Sequence, residues 1–147
     1  MQIQTSRFGL LNLEETTFIC FPWGIPGFEN LKRYVLLQHR DGPFQWLQAV
    51  DDPDVAFVVC PPEVVGVRYR IGSDQGKPIR VEKAEDLAVF ILVSFDRAGK
   101  NIRAHLRSPL LVNAATREGY QWILDAEDLP KVTEPAPQKE PRKTSTP

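Results

Sequence analysis

The chain has 147 residues, 42% of them hydrophobic and 25% charged, with a formal net charge of −1. A chain of that size and make-up forms one globular domain with a core of its own, which excludes disorder throughout. The balanced charge also counts against a protein that grips nucleic acid mainly by neutralising phosphates.

The first twenty residues hold no basic stretch followed by an apolar one, and Glu14 and Glu15 interrupt them, so no secretory leader is expected. Strand signals then follow one another at residues 18–21, 33–38, 44–50, 55–60, 67–71, 87–95, 102–106 and 110–112. Each run is short and rich in Val, Ile, Leu, Phe or Trp. Turn chemistry separates them at Asp41-Gly42-Pro43, at residues 72–76 and around Gly99, where a hairpin loop between Val93 and Ile102 is predicted. Val67-Arg68-Tyr69-Arg70-Ile71 alternates as a half-buried strand does. Residues 87–93 are apolar throughout, as in a central strand, and the run is too short to cross a bilayer. Helix is limited to a turn or two at residues 29–34, 62–66 and 82–86. The predicted class is mainly β: a small antiparallel β-barrel-like single domain with one or two short helices, over residues 1–125. Residues 126–147 hold five of the thirteen prolines and no aromatic residue, and are predicted to be a disordered tail.

Catalytic and metal signatures are missing. His39 and His105 are the only histidines, neither beside a nucleophile in a known arrangement, and no G-x-S-x-G elbow or phosphate loop occurs. Cys20 and Cys60 stand apart in apolar runs, without the paired spacing of a zinc site, and read as reduced core residues. Asp51-Asp52-Pro53-Asp54 lacks the ligand spacing of a calcium loop. Asp52 instead suits the cap of a turn that starts at Pro53. No enzyme activity, cofactor or metal is expected.

Three segments remain as candidate binding surface. Phe21-Pro22-Trp23-Gly24-Ile25-Pro26-Gly27-Phe28-Glu29 is a stiff loop with a predicted type II turn at Pro26-Gly27. Its Trp23, Ile25 and Phe28 are either anchors for a partner or a plug for one end of the barrel. Phe44 to Pro53 carries core aromatics and ends in Gln48 and the acidic turn of Asp51, Asp52 and Asp54. The third holds Pro109 and Leu110, where a proline without an N–H marks an edge strand or a bulge, a natural docking place.

Arg7-Phe8-Gly9, Gly24-Ile25-Pro26-Gly27-Phe28-Glu29, Trp46-Leu47-Gln48, Asp51-Asp52-Pro53 with Ala56-Phe57, Ser108-Pro109 through Asn113, and Gly119 with Gln121 occur in that order. Together they resemble the FliW family of bacterial flagellar assembly factors, from Arg7 to Leu124. The resemblance implies a cytoplasmic, monomeric, barrel-like protein without enzymatic activity. It also implies binding of newly made flagellin and of the translational repressor CsrA, so that flagellin synthesis follows filament assembly. The expected contacts are Trp23, Ile25, Phe28, Glu29, Gln48, Asp51, Asp52, Asp54, Pro109 and Leu110. The acidic ones would complement a basic RNA-binding partner, and flagellin would be held by an amphipathic helical terminus. The competing reading is a small nucleic-acid-binding β-barrel with Arg68, Arg70, Arg80 and Arg103 as its basic face. Neither a membrane nor direct nucleic-acid contact is expected on the first reading.

Overall fold

The computed structural model describes residues 1–38, 42–95 and 101–125. His39, Asp41, the loop around Gly99 and the whole predicted tail lie outside them. Among the described residues ten strands occur in chain order: β1 (Gln2–Thr5), β2 (Gly9–Asn12), β3 (Ile19–Cys20), β4 (Arg33–Gln38), β5 (Gln45–Ala49), β6 (Ala56–Cys60), β7 (Leu87–Phe95), β8 (Ile102–Ala104), β9 (Leu110–Asn113) and β10 (Glu118–Gln121). β4 and β7 fall on the predicted residues. The helical pieces are one short α-helix, Ser73–Gly76, and 3-10 turns that include Pro62–Val65 and Ala84–Asp86, both in predicted places.

One sheet runs β6-β5-β4-β3-β10-β9-β7, and pairing of β6 with β7 closes it into a barrel. Its neighbours are antiparallel except β3 and β10, which meet in parallel at Cys20 and Glu118. Period-two alternation turns Ile19, Tyr34, Leu47, Ala49, Val59, Leu110 and Val112 into one buried cluster, which Phe21 and Ile25 complete. The space among Ile19, Phe21, Leu36, Leu47, Val59, Phe90, Leu110 and Val112 has no room for water. The barrel centre is therefore packed core rather than a ligand cavity, and function has to sit on the outside.

Two additions flank the barrel. The β1–β2 hairpin lays Ile3 and Leu11 against Phe18, Val35 and Val50. On another side β8 pairs with the end of β7, Phe95 opposite Ile102, which forms the predicted hairpin. There Val67, Tyr69 and Leu106 cover Cys60, Ile91 and Val93.

Two expectations are corrected. Residues 67–71 alternate in burial as predicted, with Arg68 and Arg70 exposed, but they join no ladder. They pack by side chain alone, so they form an extended strap rather than a strand. Cys60 is buried, and its desolvated thiol is pushed up to about 12, whereas Cys20 is exposed. Cys20 follows Ile19 on the two-residue strand β3 and takes the face opposite the core.

Candidate partner-binding surface

The acidic turn between β5 and β6 is held from beneath by Gln48, which is fully buried. Its Nε2 lies 3.1–3.3 Å from the carbonyl oxygens of Ala49, Asp52, Pro53 and Val55. Four acceptors around one amide nitrogen fix the path of the turn, and Asp52 Oδ1 accepts from the Asp54 N–H at 3.0 Å, as the predicted cap. Arg33 clasps Asp51 with Nη2 at 2.6 Å and Nε at 3.2 Å, and that carboxylate raises the already high Arg33 pKa. Ser6 ties the turn to the β1–β2 hairpin. Its N–H donates to Pro53 C=O at 2.9 Å and its hydroxyl to Asp54. The carboxylates of Asp51 and Asp54 are thus exposed but fixed in place.

The aromatic loop is built from successive turns. Gly24 N–H donates to Phe21 C=O at 2.8 Å, and Phe28 N–H to Ile25 C=O at 2.6 Å, with Gly27 at φ +91 as the type II turn at Pro26-Gly27 requires. Gly24, at φ +70, passes so close to Glu29 that a β-carbon would stand 2.6 Å from its Cα. Glu29 Oε2 accepts from Gly27 N–H at 3.0 Å, and this bond lowers the Glu29 pKa. Ile25 enters the core, as the plug alternative foresaw. Phe28 leans edge-on against Phe57, ring centres 5.1 Å apart, and stays 38% exposed. Trp23 stands outward, 57% exposed, edge-on to Tyr120 at 6.4 Å.

Pro109 marks a bulge inside the sheet, not an edge. Between the Phe90–Leu110 and Val93–Ala104 pairs, Ile91 and Leu92 on β7 face five residues, 105–109. The bulged segment keeps its bonds to the chain after β10: Trp122 N–H donates to Pro109 C=O at 2.9 Å, and Leu124 N–H to Arg107 C=O at 2.8 Å. Pro109 and Leu110 are buried. The bulge instead turns His105 and Ser108 toward a groove of about 490 Å³, also lined by Arg7, Trp46, Phe57 and Gln121. The Arg7 guanidinium lies over the Trp46 ring, 4.3 Å from its centre.

None of the ten sequence candidates lines this groove. Phe28 touches Phe57, which does, with Glu29 next to it in the chain, and the turn of Asp51, Asp52 and Asp54 is tied to it through Ser6, the neighbour of Arg7. Trp23 stands farther along, against Tyr120. Ile25, Gln48, Pro109 and Leu110 lie in the interior and support the surface without forming it. Arg7, Trp46, His105, Ser108 and Gln121 were not singled out as contacts. For all of them but His105 the signal was the ordered set of motifs, which contains them.

The sequence profile of the FliW protein family matches residues 2–135. The chain belongs to the FliW family. The flagellar assembly factor FliW of Caldicellulosiruptor saccharolyticus is 36% identical over 130 residues, 87% of this chain and 86% of the relative. FliW of Treponema denticola is 35% identical over 127 residues, 85% of this chain and 86% of the relative. The crystal structure of a flagellar assembly factor FliW superposes with a TM-score of 0.79 at 28% identity, covering 92% of this chain and 96% of the other. The FliW fold here has no helix long and apolar enough to cross a membrane among the described residues. Of the basic face in the competing reading, Arg80 is engaged with Glu118 at 2.9 Å.

Proposed function

We propose that this chain is a cytoplasmic, monomeric flagellar assembly factor that acts by binding two proteins in turn. Bound to CsrA, it antagonises repression of target mRNAs, including that of flagellin; bound to flagellin, it holds that subunit before export. The observation that carries the reading is a FliW-type chain whose pinned acidic turn is tied through Ser6 to Arg7 at the rim of a groove lined by Trp46 and Phe57. A fixed carboxylate pair is pre-organised for a basic RNA-binding protein. Charge complementarity speeds encounter, and negative charge brought beside an RNA site repels phosphate. Phe28 and Trp23 supply anchors whose truncation costs about 2 kcal/mol when they lie at the centre of an interface.

The test replaces Asp51 and Asp54 by Asn, which removes charge but keeps the oxygen acceptors for Arg33 and Ser6. CsrA association should slow and lose much of its salt dependence in stopped-flow measurements. Unchanged association rate and salt slope would overturn the electrostatic part of the proposal.

A further inference from the structure

The two edges of β7 are used unequally. One edge is occupied by β9 at Leu87–Phe90 and by β8 beyond Ile91 and Leu92. The other pairs with β6 at Ile91, Leu92 and Val93 only. β6 stops at Cys60 because Pro61 and Pro62 follow. Neither has an N–H to give, and the chain turns into the 3-10 helix Pro62–Val65. Among the described residues, Leu87, Ala88, Val89 and Phe90 therefore have no strand on that side.

Hydrogen bonding on the occupied side identifies the groups left over. The Asp86 carbonyl accepts from Ala114 N–H at 2.8 Å and the Leu92 carbonyl from His105 N–H at 2.9 Å. Even-numbered residues of β7 thus turn their peptide groups toward β9 and β8, and Leu87 and Val89 turn theirs to the vacant edge. The Leu87 N–H is taken by the Ala84 carbonyl, which closes the 3-10 turn Ala84–Asp86, so the edge offers the Val89 N–H and the Leu87 and Val89 carbonyls. Facing that edge is the extended strap of residues 67–71, held from behind by Tyr69. The Tyr69 hydroxyl donates to the Leu106 carbonyl, and its ring centre lies 6.4 Å from that of Trp122. Between strap and edge lies a groove of about 590 Å³, lined by Pro61, Pro62, Tyr69, Ile71, Leu87 and Val89 among others. Arg68 and Glu63 line it as well, and Arg70 is exposed on the same strap, so positive charge exceeds negative on that strap side.

We infer that this groove is a strand-acceptor site, which takes one extended, acidic segment of a partner protein beside Leu87 and Val89. The Val89 N–H and the Leu87 and Val89 carbonyls on an open edge are matched by another backbone, and Arg68 and Arg70 select carboxylates along it. The strap and the two prolines face the edge across the groove, which suits a single chain and hinders the approach of a second barrel. The chain's own residues 126–147 are a poor occupant, since prolines cut them into runs of five residues or fewer.

The inference rests on the proposed function, in which the acidic turn takes the basic partner and flagellin is the other client; it gives flagellin an extended segment in place of the helical terminus expected from the sequence. The two sites stand at opposite ends of β6, roughly 17 Å apart at strand rise. A standard interface covers roughly 800 Å² per partner, so two proteins docked there collide.

The test titrates the full chain, its Val89→Pro variant and its Arg68→Glu/Arg70→Glu variant with purified flagellin and, separately, with CsrA. Hydrogen exchange is followed at Val89. Proline at position 89 removes the vacant donor without touching the ladder to β9. Each variant should weaken flagellin binding on the order of tenfold and leave CsrA affinity unchanged, and flagellin should protect the Val89 amide in the wild-type chain. Equal flagellin affinity for all three chains, or an unprotected Val89 amide in the complex, overturns the strand-acceptor site and leaves the family-based reading standing. Failure of the wild-type chain to bind flagellin overturns both. Should Val89→Pro not fold, the arginine variant and the exchange data decide.

Discussion

Replacing Gln48 should unlock the acidic turn from inside the protein. The amide nitrogen has two protons for four carbonyls, so at any moment it makes about two full hydrogen bonds. At about 1 kcal/mol net for each, Gln48→Leu should cost roughly 2 kcal/mol. Part of that is returned, because the buried Oε1 has no partner in the wild type and leucine removes it. Gln48→Glu is the sharper probe. A carboxylate there would face four carbonyl oxygens with no donor, so the side chain must take a proton to stay. Its folded pKa then rises above the ordinary glutamate value near 4.3. Stability would be fullest below that value and lost as pH rises through the folded pKa, leaving a deficit of roughly 3 kcal/mol or more at neutral pH. Urea unfolding of the two variants at several pH values measures both effects. A Gln48→Glu protein as stable as wild type at neutral pH, with no added pH dependence, would refute this role for the amide.

Three further outcomes follow from the same geometry. Gly24→Ala should destabilise by several times more than Gly27→Ala in thermal melts. Both have positive φ, but the Gly24 site meets the Glu29 backbone at 2.6 Å while nothing lies within 4 Å of the Gly27 site. Thiol titration of the native protein should modify exposed Cys20 and spare Cys60 until the protein unfolds. Tyr34 and Tyr69 are pushed up to about 12 by burial. Each raised pKa stabilises the fold below the ordinary tyrosine value near 10, and that stability is lost as pH rises toward 12. Alkaline unfolding followed by tyrosinate absorbance should begin within this window. Ionisation of all three tyrosines at their ordinary value in a folded chain would contradict it.

Much of the barrel was legible because its strands carry strong patterns. Arg33–Gln38 and Leu87–Phe95 combine β-branched or aliphatic side chains with clean boundaries, and the Pro26-Gly27 turn follows from backbone preference alone. The β1–β2 hairpin was missed because Gln2–Thr5 and Gly9–Asn12 are largely polar or glycine-bearing, and one buried residue in two makes a weak signal. β10 was missed for a similar reason. Glu118, Gly119 and Gln121 read as loop, yet Gly119 is required where a β-carbon would stand 3.0 Å from the Phe21 ring. Residues 67–71 show the converse. Alternation reports which side chains are buried, and it is silent about whether the backbone finds a ladder.

The candidate surface was legible in its charges and less so in its apolar members. Asp51, Asp54 and Glu29 are exposed, as acidic turn residues are expected to be. Gln48 and Leu110 looked like contacts because they adjoin a turn and a proline, but adjacency in sequence does not say which way a side chain points. The groove needed four separate stretches of sequence, at Arg7, Trp46, Phe57, and His105 with Ser108, and only the closed barrel brings them together.

The proposed exchange of one partner for the other is read by anisotropy of labelled CsrA bound to the full chain while flagellin is added. Flagellin should release CsrA in proportion to its own binding, with no ternary complex. A stable complex of all three proteins, with CsrA affinity undiminished at saturating flagellin, would contradict it.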